Sequence, residues 1–299
     1  MPLARFTNEA KKILTIGWPI IVIQLAQQGM GFFDTLMAGH YSTQDLAAVA
    51  LGTSIWLPIQ VACYGVTIAL VARVAGHTGQ NNHSQAHNDF IYSLFISGLL
   101  GIISFFALWH CSFFLTLLDV PLPLIDKTDT YMKAVAFGFP ALMLFQSMRC
   151  FYEGYGQTRP VMYVVLAAMI INIPLNYVLI FGELGAPKLG SEGCGLATAI
   201  SMWVMLILAV SFARNTSIFK RTTPFQFHTP QIVQGCQSLL VIGIPIGATF
   251  LVEVSMFTVI ALLLADLGDV TIASHQITLS FTGTLFMIPL SISMAISIR

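Results

Sequence analysis

Eight long apolar segments dominate the sequence and limit what the chain can fold into. A helix that crosses the ~30 Å hydrocarbon layer of a bilayer needs about 20 mostly apolar residues. The chain is 56% hydrophobic and only 9% charged, against about 25% charged residues in soluble domains. Strands of a membrane barrel would be shorter and would alternate polar with apolar residues. The sequence therefore predicts an all-α integral membrane protein. The predicted spans are residues 13–38, 46–72, 90–114, 128–153, 160–182, 193–213, 237–265 and 271–299.

Lys and Arg are distributed unequally between the two ends of these spans. Ten of the 13 fall on the side of the N-terminus, and three, Lys127, Lys133 and Lys188, fall on the other side. Because cytoplasmic loops are enriched in Lys and Arg, we expect a cytoplasmic N-terminus and a location in the inner (plasma) membrane. The formal net charge is 0, which gives no indication of a nucleic-acid partner. The lipid bilayer is the expected surrounding.

The last two spans repeat the first two at a fixed offset of 226 residues. One unit then contains six helices, and an even number places both units in the membrane in the same direction, related by an axis along the membrane normal. We therefore expect an N-terminal six-helix lobe at residues 1–226 and the first two helices of a second lobe at residues 227–299. The complete protein is then expected to be longer. The matched pairs include Gly17 with Gly243, Pro19 with Pro245 and Arg73 with Arg299.

Asp34 lies in the middle of the first span, where an ionisable group costs several kcal/mol unless it is paired or hydrated. Gln24, Gln27, Gln28 and Gly31 precede it at the spacing of one helix face. We expect this face to look into the bundle or into a wet cavity. The alternative is a stripe of hydrogen bonds that only packs helices together.

The fifth span carries Asn172 and Asn176 one turn apart, with Pro174 between them. Proline removes a backbone donor and usually kinks a helix. Two amide oxygens, a carboxylate such as Asp34 and a hydroxyl such as Thr198 would suit a hard cation like sodium, or a proton relay. Two hydrogen bonds that merely hold the kink remain the alternative.

Glu253 is the second carboxylate in the middle of a span. Thr249, Phe250, Met256 and Phe257 share its helix face, so we expect an acidic group among aromatic rings and a thioether. An ionisable residue at such a depth is a functional hypothesis by default. Glu253 is therefore a candidate for exchanging a proton or binding a cation.

Two further polar pairs lie four residues apart on a helix. Gln276 and Ser280 share a face of the last span, beside His275, and either contact a drug, support an ion or simply pack. Arg149 and Glu153 near the end of the fourth span are interpreted as an ordinary helix pair. The sequence contains no phosphate-binding glycine loop that would indicate an ATP-driven pump.

Several segments together resemble the NorM-like branch of the MATE (multidrug and toxic compound extrusion) family of transporters. Each segment alone is a weak signal, but the combination covers nearly the whole chain and is specific. The segments are GFFDTLMAG at 31–39, DLAAVALGTSIWLP at 45–58, EGYGQTRP at 153–160, NIPLNYVLIFG at 172–182, GSEGCGLATA at 190–199 and GIPIGATFLVEVSMF at 243–257.

The resemblance implies two six-helix lobes around a V-shaped cleft, and export of organic cations in exchange for Na⁺ or H⁺. Asp34, Asn172, Asn176 and Thr198 match the cation or proton site of the family's first lobe, and Glu253 matches the acidic residue of its second lobe. Some relatives have Asp where this chain has Asn176. Because the first-lobe site then has one fewer negative charge, the resemblance points to Glu253 as the candidate Na⁺ ligand.

The leading hypothesis is therefore multidrug antiport by alternating access, with the coupling ion, no cofactor, and small organic cations as partners. The full-length protein is expected to function as a monomer. One alternative is a lipid-linked oligosaccharide flippase, which would need a strongly basic cavity. The other is an intramembrane enzyme, which would need a catalytic constellation in the middle of a span. The candidate substrate contacts are Gln24, Gln28, Met256, Phe257, Gln276 and Ser280.

Overall fold

The computed structural model describes residues 2–117, 122–216, 229–264 and 269–298. All regular structure within these ranges is helical, which confirms the predicted all-α class. The helices are α1 (Pro2–Tyr41), α2 (Thr43–Gly79), α3 (His83–Trp109), α4 (Cys111–Leu117), α5 (Leu122–Ala136), α6 (Phe139–Gly154), α7 (Thr158–Phe181), α8 (Ser191–Asn215), α9 (Thr229–Leu264) and α10 (Asp269–Ile298).

Seven helices in the described ranges are long and apolar enough to cross a membrane. An eighth span is possible if the bent pair α5 and α6 is counted as one crossing. The chain is thus a multi-pass membrane protein, as its apolar segments predict. Polar residues begin several of the helices: the side chains of Ser42 and Asn82 accept backbone hydrogen bonds at the starts of α2 and α3.

The predicted fourth span, residues 128–153, is not one continuous helix. It is broken between Ala136 and Phe139, and the two parts are bent by 45°. Pro140 follows the break and cannot donate the backbone bond of a continuous helix. Gly138 lies so close to α8 that a Cβ there would come within 2.8 Å of the Cα of Ala199. The prediction of a span at residues 128–153 missed this break, because the local signals stand inside an uninterrupted apolar run.

The predicted third span, residues 90–114, also ends earlier than expected. Helix α3 stops at Trp109, and α4 (Cys111–Leu117) follows as a separate short helix. The ring of Trp109 stacks on Phe105 and meets Phe137 edge-to-face. An aromatic cluster thus surrounds the end of α3 near the break between α5 and α6.

The two repeat units contact each other reciprocally. Helix α9 packs on α2 and α10 packs on α1. At the predicted offset of 226 residues α9 corresponds to α1 and α10 corresponds to α2, and a two-fold axis between parallel units would produce this exchange. The division into two repeat units stays a prediction. The boundary at residue 226 lies outside the described residues and stays a prediction.

Glycines bring α2 and α9 into close contact. A Cβ at Gly65 would lie 2.5 Å from the Cα of Gly247, and a Cβ at Gly247 would lie 2.7 Å from the carbonyl oxygen of Ala62. Gly243 lies similarly close to the backbone of Val66. Helix–helix contacts in membranes favour such small residues, because they let backbones approach. We call the contact of α2 with α9 the glycine seam.

The two ends of the bundle differ in how the units meet. We call the end that holds Arg73 and Gly154 the Arg73 end, and the end that holds Asp45 and Lys127 the Asp45 end. The named contacts of α2 with α9 run from the stacked rings of Tyr64 and Phe250, through the glycine seam, to Arg73. The described buried positions are Leu239, Gly243 and Gly247 on α9 and Ser291, Ala295 and Ile298 on α10, and none of the described positions nearer the Asp45 end on either helix is buried. The units therefore touch at the Arg73 end and separate toward the Asp45 end.

Candidate cation site and neighbouring charges

Three helices of the first unit converge on the carboxylate of Asp34. The side chain of Asp34, on α1, is buried. Its Oδ1 accepts a hydrogen bond from Asn176 Nδ2 on α7 at 2.5 Å. Its Oδ2 accepts one from Thr198 Oγ1 on α8 at 3.1 Å. Both carboxylate oxygens therefore have neutral donors, and the site carries a single formal negative charge among these residues.

The two asparagines are hydrogen-bonded to each other beside this carboxylate. Asn176 Nδ2 also donates to Asn172 Oδ1 at 3.0 Å, and both side chains are fully buried. The remaining amide atoms, Asn172 Nδ2 and Asn176 Oδ1, are buried without a hydrogen-bond partner. Pro174 lies inside α7 without ending it. An unpartnered amide oxygen next to a carboxylate leaves coordinating capacity for a small cation.

Thr198 has two acceptors within reach but only one hydroxyl proton. Its Oγ1 lies 3.1 Å from Asp34 Oδ2 and 3.0 Å from the carbonyl oxygen of Cys194. The hydroxyl can therefore rotate from one acceptor to the other and offer a lone pair toward Asp34. The donor set is one carboxylate, two amides and a hydroxyl, which suits a monovalent cation or a proton.

Gln24 and Gln27 do not face Asp34, contrary to the expectation of one polar face on the first span. Their Oε1 atoms accept hydrogen bonds at 3.3 Å from Arg149 Nη2 and Nη1, respectively. Gln28 is exposed. The residues follow one helix spacing, but a long arginine on a neighbouring helix binds the glutamines, so the polar face divides into two separate sites.

Arg149 and Glu153 form the buried charge pair of the second site. Arg149 Nε lies 2.7 Å from Glu153 Oε1, and the two side chains are 2% and 0% exposed. The guanidinium also stands over the ring of Tyr64, 5.3 Å from its centroid. The interpretation of Arg149 and Glu153 as an ordinary helix pair was correct about their pairing. It missed the burial of the pair and the contacts of Arg149 with α1 and α2. One sequence signal could have revealed this arrangement. The first span places Gln24 and Gln27 in a largely apolar stretch that has no charged residue near them.

Glu253 is exposed on α9, so its predicted burial among rings and a thioether is not observed. Met256 and Phe257 are also exposed, at 59% and 49%. Glu253 belongs to the second unit and is not among the hydrogen-bond partners of the buried Asp34 in the described residues. The side chains of Gln276 and Ser280 lie outside the described part of the structure.

Comparison with known proteins identifies relatives over almost the whole chain. The family model MatE matches residues 19–178 and 245–299. Multidrug resistance protein NorM of Vibrio cholerae is 38% identical over 296 residues, which cover 99% of this chain and 65% of NorM. Multidrug resistance protein PmpM of Pseudomonas aeruginosa is 39% identical over 303 residues, which cover 100% of this chain and 64% of PmpM. The chain thus spans less than two-thirds of the length of these relatives.

Solved structures have the same arrangement of helices. The eukaryotic MATE transporter AtDTX14 superposes with a TM-score of 0.86 at 19% identity, over 98% of this chain and 65% of that chain. The MATE transporter NorM-NG, solved in complex with a monobody, superposes with a TM-score of 0.76 at 28% identity, over 95% and 62%. The first likeness shows the fold alone. The relatives' names agree with the prediction of a transporter rather than an intramembrane enzyme.

Proposed function

Because the chain belongs to the MatE family, we propose that the protein exports small organic cations, including drugs, in exchange for Na⁺ or H⁺. The observation that carries the proposal is the buried Asp34 cluster. A carboxylate with only neutral hydrogen-bond donors has no permanent cationic partner, so its charge is balanced by a cation or proton that binds and dissociates. One negative charge fits one monovalent cation or one proton, which is the requirement for coupling.

Asn172, Asn176 and Thr198 hold the bound ion together with Asp34, whose carboxylate neutralises its charge. When a cation or proton arrives, Thr198 turns its hydroxyl proton to the Cys194 carbonyl, 3.0 Å away, and faces Asp34 with a lone pair. The Asp34 carboxylate then needs fewer hydrogen-bond donors, because the bound cation or proton neutralises its charge. Binding of the coupling ion thereby changes the contacts among α1, α7 and α8, which is how differential affinity shifts a conformational equilibrium.

We assign Glu253, which is exposed on α9, as the second acidic group and as the Na⁺ ligand. An organic cation and the coupling ion are attracted to the same carboxylates, so each lowers the affinity for the other. We place Gln24, Gln28, Met256 and Phe257 among the substrate contacts. The roles of Gln276 and Ser280 in drug or ion binding stay predictions.

The distribution of basic residues supports an orientation in the inner membrane with the N-terminus in the cytoplasm. The Arg73 end then faces the cytoplasm and the space between the units opens outward. The flippase alternative requires a basic cavity. The buried guanidinium of Arg149 is instead paired with Glu153 at 2.7 Å, which leaves no unpaired positive charge at that position.

The test is efflux of a fluorescent organic cation from cells that express the protein, with the sodium and proton gradients collapsed separately. Collapse of the coupling gradient is expected to stop efflux, and collapse of the other gradient to leave it largely unchanged. Asp34→Asn should transport poorly, whereas Asp126→Asn, which alters an exposed carboxylate, should transport normally. Efflux that persists with both gradients collapsed would contradict the proposal.

A further inference from the structure

A second charged cluster lies where the two repeat units meet at the Arg73 end. Arg73, near the end of α2, donates from Nε to Asp89 Oδ2 on α3 at 2.9 Å. Its Nη1 donates to Ser238 Oγ on α9 at 2.5 Å. Arg73 is thus bonded within its own unit and also to the other unit.

Asp89 fixes the position of this guanidinium. Its side chain is 2% exposed, and His77 Nε2 lies 3.1 Å from the same oxygen that accepts from Arg73. A buried carboxylate is held where its charge is compensated, and Asp89 has Arg73 as its permanent cationic partner. The bond that holds the Arg73 guanidinium to Asp89 therefore lies wholly within the first unit.

Ser238 is oriented to accept from Arg73. Its own hydroxyl donates to the carbonyl oxygen of Gly235 at 2.8 Å, so a lone pair of Oγ remains for Nη1. Gly235 lies against the ring of Tyr92, and Cys236 Sγ lies 3.6 Å from the Tyr92 carbonyl oxygen. The first turns of α9 are therefore seated on α3 at the place where Arg73 reaches them.

We propose that Arg73 closes the Arg73 end of the space between the units by linking Asp89 of the first unit to Ser238 of the second. The inference rests on the proposed function, because alternating access requires that this end opens in another state. The bond to Asp89 lies within one unit and survives opening, whereas the bond to Ser238 must break. Arg73 is thus a positioning residue that favours the state with this end closed.

The bond contributes to the balance between the two states. This hydrogen bond has a charged donor and exists only in the closed state. Removing it should shift the ratio of the two states roughly tenfold, which corresponds to about 1.4 kcal/mol. Loss of either Arg73 or Ser238 should produce the shift. The pair of Arg73 with Asp89 is unaffected in Ser238→Ala, so this variant isolates the bond between the units.

The experiment measures distances between spin labels at Gln80 and Gln234, which are exposed on the two units at this end. The protein carries Cys236→Ala, because Cys236 is half-buried and the other four cysteines are buried. Wild type, Arg73→Gln and Ser238→Ala are compared in liposomes. Arg214→Gln, an exposed arginine at the same end of the bundle, is the matched control.

Both test variants are expected to raise the ratio of long to short distances about tenfold, and Arg214→Gln to leave it unchanged. Distance distributions like the wild type in both test variants, or a shift in only one of them, would overturn the proposal. Should Arg73→Gln fail to fold, Ser238→Ala alone decides. The distances do not depend on transport, so failure of the efflux experiment would be recognised separately.

Discussion

Replacing Arg149 with methionine should strongly destabilise the protein. The change removes an ion pair at 2.7 Å and two hydrogen bonds at 3.3 Å, and leaves the fully buried Glu153 as an uncompensated charge. Breaking a buried pair in this way costs about 3–5 kcal/mol. By contrast, Arg149→Met combined with Glu153→Met removes both charges and keeps similar volumes. Because Glu153 Oε2 already has no hydrogen-bond partner, the double variant should lose at least about 2 kcal/mol less than Arg149→Met alone.

The assay is unfolding in mixed micelles by titration with a denaturing detergent, for both single variants and the double variant. The control is Lys12→Met, which breaks the exposed pair of Lys12 with Glu9 at 3.0 Å; its cost should stay below about 1 kcal/mol. A small loss of stability in Arg149→Met would refute the reasoning. So would a double variant whose loss equals the sum of the two single losses, because the buried pair would then have no coupling energy.

Three further outcomes are expected. Glu253→Gln should insert normally into membranes but abolish coupled efflux, because it removes the ionisable group and keeps its shape; normal gradient-dependent efflux would count against the assignment. Asn176→Asp should increase sodium-stimulated efflux at two pH values, since a second carboxylate would stand beside Asp34; no change at either pH would return the asparagines to a packing role. Gly247→Ala should force the glycine seam apart and lower the free energy of unfolding by about 1–3 kcal/mol. Gly76→Ala is the control, because a Cβ there would meet nothing within 4 Å. Equal stabilities of the two variants would contradict the close contact at Gly247.

The membrane class followed from segment length and hydropathy, because a bilayer requires long apolar helices whatever the details of packing. The break at Gly138 could not be recognised in the same way. It depends on how closely α5 and α6 approach α8, which is a tertiary property. Pro140 is a local sequence signal for such a break. The apolar residues on both sides of it nevertheless favour a single span in a prediction based on composition.

The candidate site was predicted in part. Helix periodicity and the family resemblance named Asp34, Asn172, Asn176 and Thr198, and the structure places these side chains in one hydrogen-bonded cluster; their role in coupling stays a prediction. Periodicity also assigned the glutamines of α1 to that cluster, but spacing along a helix cannot reveal which neighbouring side chain reaches them.

Binding of a fluorescent organic cation to the purified protein tests the central claim most directly. Its affinity is measured as Na⁺ and pH are varied in turn, for the wild type, Asp34→Asn, Glu253→Gln and the variant with both changes. The account predicts that the coupling ion weakens dye binding to the wild type, has a smaller effect on each single variant and has none on the double variant. An undiminished effect of the ion on the double variant would contradict the claim that these two carboxylates couple ion binding to drug binding.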